Sequence, residues 1–171
     1  MCKGYVHIYT GNGKGKTTAA FGLAVRAACS GKKVYIGQFV KDMKYNETKI
    51  EKHLPLITIE QLGIGCFINR KPTKQDCDYA HSALEKCAVL LKEGEYDLVI
   101  LDEINIALHY GLIEVEVVID ALKNRRVGVE VVLTGRYAPE PLISIADLVT
   151  EMKEIKHYYS EGVLSRDGID H

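Results

Sequence analysis

The sequence predicts an α/β fold in which a mostly parallel sheet is flanked by helices. Apolar, β-branched runs alternate with longer amphipathic stretches along the 171 residues, the pattern of strand–helix–strand units. No repeat, low-complexity tract or linker-like change of composition interrupts this alternation. A chain of this length suits one domain, which buries roughly two-thirds of the surface that its unfolded chain exposes. We therefore expect residues 1–171 to form a single domain.

The first half of the chain predicts three strands and one helix. An apolar run predicts the first strand, and the glycine-rich turn after it opens into an alanine-rich helix. Two polar stretches are predicted as loops, and the longer one, residues 61–75, has a length that usually indicates a functional loop. In order, the elements are a strand at 5–9, a helix over 19–27, a strand at 33–39, a loop over 40–53, a strand at 56–60 and the loop 61–75.

The second half continues the same alternation. Tyr79, Ala83, Cys87 and Leu90 recur every three to four residues, which predicts a helix that Gly94 ends. The next strand is apolar until its last residue, as expected for a strand buried on both faces of a parallel sheet. In order, the elements are a helix at 76–93, a strand at 98–102, a helix at 112–123, a strand at 129–134, a short helix near 141–146 and a strand at 148–152.

Composition excludes several classes of partner. The formal net charge is −1, so no overall field attracts nucleic acid or an anionic membrane surface. No apolar run reaches the roughly 18 residues that a membrane helix needs, and the first residues lack the pattern of a secretory signal. We therefore expect a cytoplasmic protein with neither a nucleic-acid partner nor a membrane partner.

Residues 10–18 are the most informative segment of the chain. They lie between the first strand and the first helix, the context in which a phosphate-binding loop works. Glycines let backbone N–H groups converge on phosphate oxygens, and the helix N-terminus adds its positive dipole end. Lys16 adds a full charge, and Thr17 offers a hydroxyl to the Mg²⁺ that accompanies a nucleotide. The predicted nucleotide-binding residues here are Thr10, Gly11, Asn12, Gly13, Lys14, Gly15, Lys16, Thr17 and Thr18.

This loop differs from the common Gly-x4-Gly-Lys-Ser/Thr pattern. Its first glycine is Gly11, with Thr10 in the usual glycine position, so the span between the glycines is one residue shorter. A second lysine, Lys14, lies inside the loop. The alternative interpretation is a solvated turn at the start of a helix, but the strand and helix on either side favour a nucleoside triphosphate site.

Two carboxylates, Asp102 and Glu103, follow four apolar residues at the end of a predicted strand. A buried strand can deliver a carboxylate to a metal beside the phosphate loop, because open α/β sheets bind ligands at the carboxyl ends of their strands. An acidic residue would also be favoured here as the N-cap of a helix that starts at Ile104. Both roles can hold, with either carboxylate on the metal and the other structural.

Two further strand ends carry polar side chains. Arg136 follows a strand and a glycine turn, where its guanidinium could bind triphosphate oxygens, although a surface arginine is the alternative. Gln38 and Lys41 follow the second strand and could contact a substrate, although a solvated loop also explains Lys41.

His157 lies beyond the last strand. A lone histidine is more often structural or exposed than catalytic. No activated nucleophile pattern is present.

Taken together, these motifs resemble the P-loop type of ATP:corrinoid adenosyltransferase. The matching segments are residues 10–20, 38–41, 101–103, 133–136, 146–152 and 156–157, which span nearly the whole chain. The short loop is that family's own variant. The resemblance implies a RecA-like P-loop NTPase fold. It also implies a homodimer and an electron donor that reduces the cobalt of the corrinoid.

The resemblance also implies a reaction that needs no catalytic base. Co(I) of a reduced corrinoid attacks C5′ of ATP, inorganic triphosphate leaves, and a cobalt–carbon bond forms, in cobalamin biosynthesis or salvage. Lys16, Arg136 and Glu103 would be the catalytic residues, with Mg²⁺ held by Thr17 and Glu103 or Asp102.

The family often carries Phe-x-Trp in the loop that touches the corrinoid. Here that segment reads Gly-Cys-Phe-Ile, and the chain contains no tryptophan. Cys66, Phe67 and His157 are the candidates for the corrinoid side. Two alternatives stay open: a P-loop ATPase or small-molecule kinase, and a non-catalytic module that binds a nucleotide or a corrinoid.

Overall fold

Six parallel strands form one sheet in the part of the chain that the computed structural model describes, residues 3–40, 45–63 and 71–170. Their order across the sheet is β3-β2-β4-β5-β1-β6. This confirms the predicted α/β class with a parallel sheet between helices. The strands are β1 (Val6–Thr10), β2 (Val34–Gln38), β3 (Ile57–Gln61), β4 (Leu98–Asp102), β5 (Glu130–Thr134) and β6 (Leu148–Glu151).

Helices connect the strands and cover both faces of the sheet. The α-helices are α1 (Lys16–Cys29), α2 (Lys74–Glu93), α3 (Ile104–His109), α4 (Val115–Lys123) and α5 (Glu140–Ile145). Two 3₁₀ helices, Asn46–Lys52 and Tyr158–Glu161, lie outside this pattern. Among the helices of the described residues, none combines the length and the apolar character that crossing a bilayer requires.

The core divides into two layers because each buried strand presents side chains to both faces of the sheet. On one face, Ala20 and Ala24 of α1 pack with Ile36, Ile100 and Val132 from three neighbouring strands. The small alanines let α1 approach the sheet closely, which brings the loop before α1 to the carboxyl ends of the strands. On the other face, α2, α4 and α5 cover the sheet through residues that include Leu84, Leu91, Val118 and Leu142.

The carboxyl ends of the strands meet at one edge of the sheet. Gln38 pairs in register with Asp102, and Tyr9, the residue before the end of β1, pairs with Thr134. Strand β5 lies between β1 and β4, so the loop after β1 and the carboxylates after β4 face each other across the end of β5. Gln38, Asp102 and the end of β5 therefore share one edge of the sheet, as the sequence predicts for them.

Several predicted boundaries were wrong, each for a local reason. The helix predicted to begin at residue 76 begins at Lys74, because Thr73 caps it: Thr73 and Asp76 form a reciprocal capping box. The helix predicted over 112–123 begins at Val115, because Leu112 and Ile113 are buried in the core before the chain turns. The predicted loop 40–53 contains the 3₁₀ helix Asn46–Lys52. The first helix begins at residue 16 instead of 19, and most predicted strands shift by one residue at an end.

Candidate functional site

The loop after β1 leads directly into the N-terminus of α1. Gly15 takes a left-handed conformation, φ 115°, which favours glycine, and Lys16 is the first residue of α1. The first turn of α1 contains no acidic residue and no side chain caps it. Its unpaired N–H groups and positive dipole end therefore favour an anion at this position.

The side chain of Lys16 bends back over the loop. Its Nζ donates hydrogen bonds of 2.8 Å to the carbonyl oxygens of Gly11 and Gly13, and the residue is only 8% exposed. Burial lowers the pKa of Lys16 below its usual range, while the Glu103 carboxylate acts in the opposite direction. An ammonium has three donors, so one remains for an anion at the helix N-terminus.

The first two glycines of the loop are required by close packing. The Gly13 N–H donates to the Met152 carbonyl at 2.6 Å, and a Cβ on Gly13 would lie 2.7 Å from that oxygen. A Cβ on Gly11 would lie 2.5 Å from the same oxygen, and Gly11 has φ 96°. The loop is thereby fixed against the residues that follow β6. The sequence pattern predicts that these glycines let N–H groups converge on phosphate, but the Gly13 N–H is bonded to the Met152 carbonyl.

Asp102 is the centre of a buried hydrogen-bond network. Its Oδ1 accepts from Thr17 Oγ1 at 3.0 Å and from Thr134 Oγ1 at 2.7 Å, and its Oδ2 accepts from Gln38 Nε2 at 3.1 Å. Asp102, Gln38 and Thr134 are fully buried. Asp102 therefore links α1, β2 and β5. The alternative in which Asp102 caps the next helix is wrong, because Glu103 occupies the N-cap position of α3.

Glu103 and Arg136 follow the ends of β4 and β5. Glu103 has φ 63°, a left-handed conformation that costs a non-glycine residue about 1–2 kcal/mol. Its side chain lies against the turn that follows β5, since a Cβ on Gly135 would be 3.2 Å from Glu103 Oε2. Arg136 is exposed, as the surface alternative predicted, and its charge acts on Lys16 together with that of Glu103. These three charged groups therefore share one electrostatic environment.

A cavity of about 520 Å³ opens in front of the loop. Its wall includes residues of the loop and of α1, together with Glu103: Lys14, Lys16, Thr17, Thr18 and Phe21. Three further residues lie at the start of the first 3₁₀ helix, and four lie among the last described residues. Those seven further residues are Tyr45, Asn46, Glu47, Ser165, Gly168, Ile169 and Asp170. A separate cavity of about 470 Å³ lies between α2 and α4, and its wall contains none of the predicted site residues.

The remaining predicted residues lie at the margin of this site or outside the described structure. Asn12 is exposed, and Thr10 ends β1, where its hydroxyl accepts a hydrogen bond from the Ala138 N–H at 3.3 Å. His157 caps the second 3₁₀ helix, with Nδ1 accepting from the Tyr159 N–H at 3.1 Å. Lys41, Cys66 and Phe67 fall outside the described residues.

Sequence reasoning missed two parts of the site. It indicates no role for Thr134, although its hydrogen bond to Asp102, at 2.7 Å, is shorter than those from Thr17 and Gln38. It also missed the cavity wall formed by Asn46 and by Asp170, more than 120 residues apart. A polar residue at a strand end was an available signal for Thr134, whereas no local pattern indicates the wall.

The structure thus brings hydroxyl and carboxylate oxygens next to the N-terminus of α1, which favours an anion. Comparison with known proteins adds what this geometry cannot give, the identity of a substrate. Residues 2–171 match the model of the family described as ATP:corrinoid adenosyltransferase BtuR/CobO/CobP. The chain belongs to this family. Corrinoid adenosyl transfer is therefore its activity, and a corrinoid is its substrate.

Curated relatives agree with the family assignment. A corrinoid adenosyltransferase of Sinorhizobium sp. is 40% identical over 98% of this chain and 80% of its own length. The corrinoid adenosyltransferase of Pseudomonas aeruginosa is 34% identical over 98% of this chain and 84% of its own length. That of Escherichia coli K12 is 33% identical over 99% of this chain and 86% of its own length.

Proposed function

We propose that the cavity in front of the loop binds Mg-ATP and presents C5′ of the nucleotide to Co(I) of a reduced corrinoid. The cobalt–carbon bond forms as the bond between C5′ and its oxygen breaks, and inorganic triphosphate carries away the electron pair of that bond. The observation that carries this proposal is the buried Lys16 beside an α1 N-terminus without acidic residues. A leaving group of several negative charges needs such a site.

Lys16 has two roles in this proposal. Before ATP binds, the carbonyls of Gly11 and Gly13 hold its ammonium over the loop, so the charge is pre-positioned. When triphosphate develops as leaving group, the remaining donor of Lys16 and the exposed Arg136 neutralise it. The low exposure of Lys16 strengthens this attraction because less water screens the charge.

Thr17, Asp102 and Glu103 form a donor set that fits Mg²⁺. Hydroxyl and carboxylate oxygens are the ligands this ion takes, and it usually keeps waters and binds substrate phosphates as well. When bound, Mg²⁺ would neutralise the charge of the phosphates. The bond between Thr17 and Asp102 supports a role for both, with Glu103 at the cavity wall. Gln38 Oε1, buried beside Asp102, has no hydrogen-bond partner among the described residues, so a bound water could satisfy it.

No residue has to remove a proton in this reaction. Co(I) supplies the attacking electron pair, so the chain contributes orientation and charge. The segment that leads to Cys66 and Phe67 starts beside the Asp102 network, because the N–H groups of Leu62 and Gly63 donate to the Gln38 carbonyl at 2.9 and 3.1 Å. These two hydrogen bonds support the proposal that Cys66 and Phe67 contact the corrinoid. Lys41, which follows β2 in the sequence, is proposed to contact ATP. His157 stays a lesser candidate, since Nδ1 is used in capping.

We propose four further properties of the chain from the family resemblance and from its composition. The chain works as a homodimer, and a separate electron donor reduces the cobalt. The protein is cytoplasmic, and residues 1–171 form one domain. The single sheet that runs from β1 to β6 supports the last of these.

An anaerobic assay tests the function. Purified protein is mixed with Mg-ATP and chemically reduced cobalamin, and the corrinoid spectrum and the phosphate products are followed together. We expect adenosylcobalamin and triphosphate in equal amounts. ADP and phosphate without corrinoid change would instead identify a P-loop ATPase or kinase, and tight binding without turnover would identify a carrier. Lys16→Ala should abolish transfer, whereas Lys32→Ala, which changes an exposed lysine beyond the other end of α1, should not.

A further inference from the structure

The last described residues of the chain cover the phosphate-binding loop. We call residues 158–170 the covering segment. It starts with the 3₁₀ helix Tyr158–Glu161 and ends in a turn, and four of its residues line the cavity in front of the loop. It is also tied to the opposite wall, because Asn46 Nδ2 donates a hydrogen bond to Asp167 Oδ1. The segment therefore lies where a nucleotide would enter.

The covering segment supplies an acceptor for each hydrogen-bond donor of the Lys14 ammonium. Lys14 Nζ lies 3.1 Å from Tyr158 Oη and 3.0 Å from the Ile169 carbonyl oxygen, and it forms an ion pair with Asp170 Oδ1. An ammonium has three donors, and these three acceptors use them all. The hydrogen bond from Lys14 lowers the pKa of Tyr158. Lys14 can therefore bind a phosphate oxygen only if it gives up a contact with the covering segment.

The carboxylate that faces Lys14 is held in place. Tyr158 Oη donates to Asp170 Oδ1 at 2.6 Å, and the backbone N–H of Arg166 donates to Oδ2 at 3.0 Å. The Arg166 side chain adds a contact of 3.3 Å, and the Asp170 side chain is only 13% exposed. Asp170 thus presents an ordered negative charge to the loop, as a phosphate of the substrate would.

We propose that Asp170 is an internal competitor for the polyphosphate of ATP: binding of Mg-ATP transfers Lys14 from Asp170 to the phosphates and releases the covering segment from the loop. This inference rests on the proposed ATP site. A ligand that needs the Lys14 ammonium binds more weakly, in proportion to the fraction of protein in which Lys14 is not paired with Asp170. A ligand without phosphates leaves this pair in place, so the pair does not change its affinity. Asp170 therefore sets the affinity for ATP without contacting it.

The test compares Asp170→Asn with the wild-type chain by calorimetric titration. The probes are Mg-ATP, inorganic triphosphate with Mg²⁺, and adenosine, which has no phosphate. The variant should bind Mg-ATP and triphosphate about fivefold more tightly, the effect of weakening one partly exposed ion pair, while adenosine binding stays unchanged. Glu161→Gln is the matched control, because it removes a carboxylate of the same segment that pairs with Lys156 at 3.4 Å and should alter none of the three affinities.

The outcomes separate this inference from the proposed function. If the wild-type chain binds neither Mg-ATP nor triphosphate, the ATP site itself is wrong and the inference falls with it. If it binds both, and Asp170→Asn leaves the affinities equal or weaker, only the inference is overturned. Hydrogen exchange of the wild-type chain gives an independent reading that needs no variant: Mg-ATP should accelerate exchange of the Ile169 and Asp170 amides, and protection of these amides would contradict release.

Discussion

Thr17 Oγ1 donates a hydrogen bond of 3.0 Å to Asp102 Oδ1. Thr17 follows β1 and Asp102 ends β4, and β5 lies between these two strands in the sheet. The bond joins the first turn of α1 to the end of β4. Thr134, at the end of the intervening β5, donates to the same carboxylate oxygen. The N-terminus of α1 and the acidic end of β4 are therefore joined by hydrogen bonds, and a change at either should affect the other.

Asp102→Asn should reduce both stability and transfer. The amide nitrogen is a donor where the carboxylate accepts three hydrogen bonds, so at least one buried donor loses its partner. We expect the free energy of unfolding to fall by about 1–3 kcal/mol. We expect the rate of adenosylcorrinoid formation to fall at least about 100-fold. Urea unfolding and the anaerobic assay measure the two effects. Asp120→Asn, which changes an exposed carboxylate of α4, should change neither. A fully active Asp102→Asn would exclude Asp102 from the metal site.

Affinity for triphosphate should depend on pH through Lys16. Burial lowers the pKa of Lys16, and an anion binds the protonated form better. The affinity should therefore be constant below the lowered pKa and fall as the pH rises through it, in a range below the ordinary lysine value of about 10.4. The arginine of Lys16→Arg stays charged throughout this range, so the affinity of that variant should not show this fall. Calorimetric titration of both chains from pH 7 upward measures the difference, and parallel curves would show that Lys16 is not the group responsible.

Glu103→Gly and Glu103→Ala should differ in stability but not in activity. Both remove the carboxylate, so both should reduce transfer about 100-fold if Glu103 acts on the metal or the phosphates. Only glycine relieves the left-handed backbone at φ 63°, so the glycine variant should be more stable than the alanine variant by about 1 kcal/mol. Thermal unfolding measures this. An alanine variant as stable as the glycine variant would mean that the backbone here carries no strain.

Gly13→Ala and Gly22→Ala should change stability in opposite directions. A Cβ on Gly13 would lie 2.7 Å from the Met152 carbonyl oxygen, so the loop must shift, at a cost of about 1–3 kcal/mol and with weaker binding of Mg-ATP. A Cβ on Gly22, in α1, meets no described atom within 4 Å, so alanine should stabilise the helix by about 0.5–1 kcal/mol. Denaturant unfolding measures both, and a Gly13→Ala variant of wild-type stability would contradict the packing argument.

Much of the fold and part of the site could be predicted from the sequence. The carboxyl ends of parallel strands meet at one edge, which is why Gln38, Asp102 and Arg136 could be assigned to that edge from their positions after apolar runs. The position of Lys14 could not be predicted. Local sequence indicates a loop lysine free to bind phosphate, whereas the structure pairs it with Asp170, and contacts between residues so far apart leave no local pattern.

The sequence by itself determined the succession of strands and helices along the chain, the loop that precedes α1 and the family to which the chain belongs. These follow from short-range patterns: runs of β-branched residues, glycines at turns and charged residues at fixed spacing. Tertiary structure alone decided that the loop glycines pack against Met152, that Asp102 joins three elements, and that the end of the chain covers the site. Such contacts depend on how distant segments pack, because burial fixes which hydrogen bonds and ion pairs each side chain can still form.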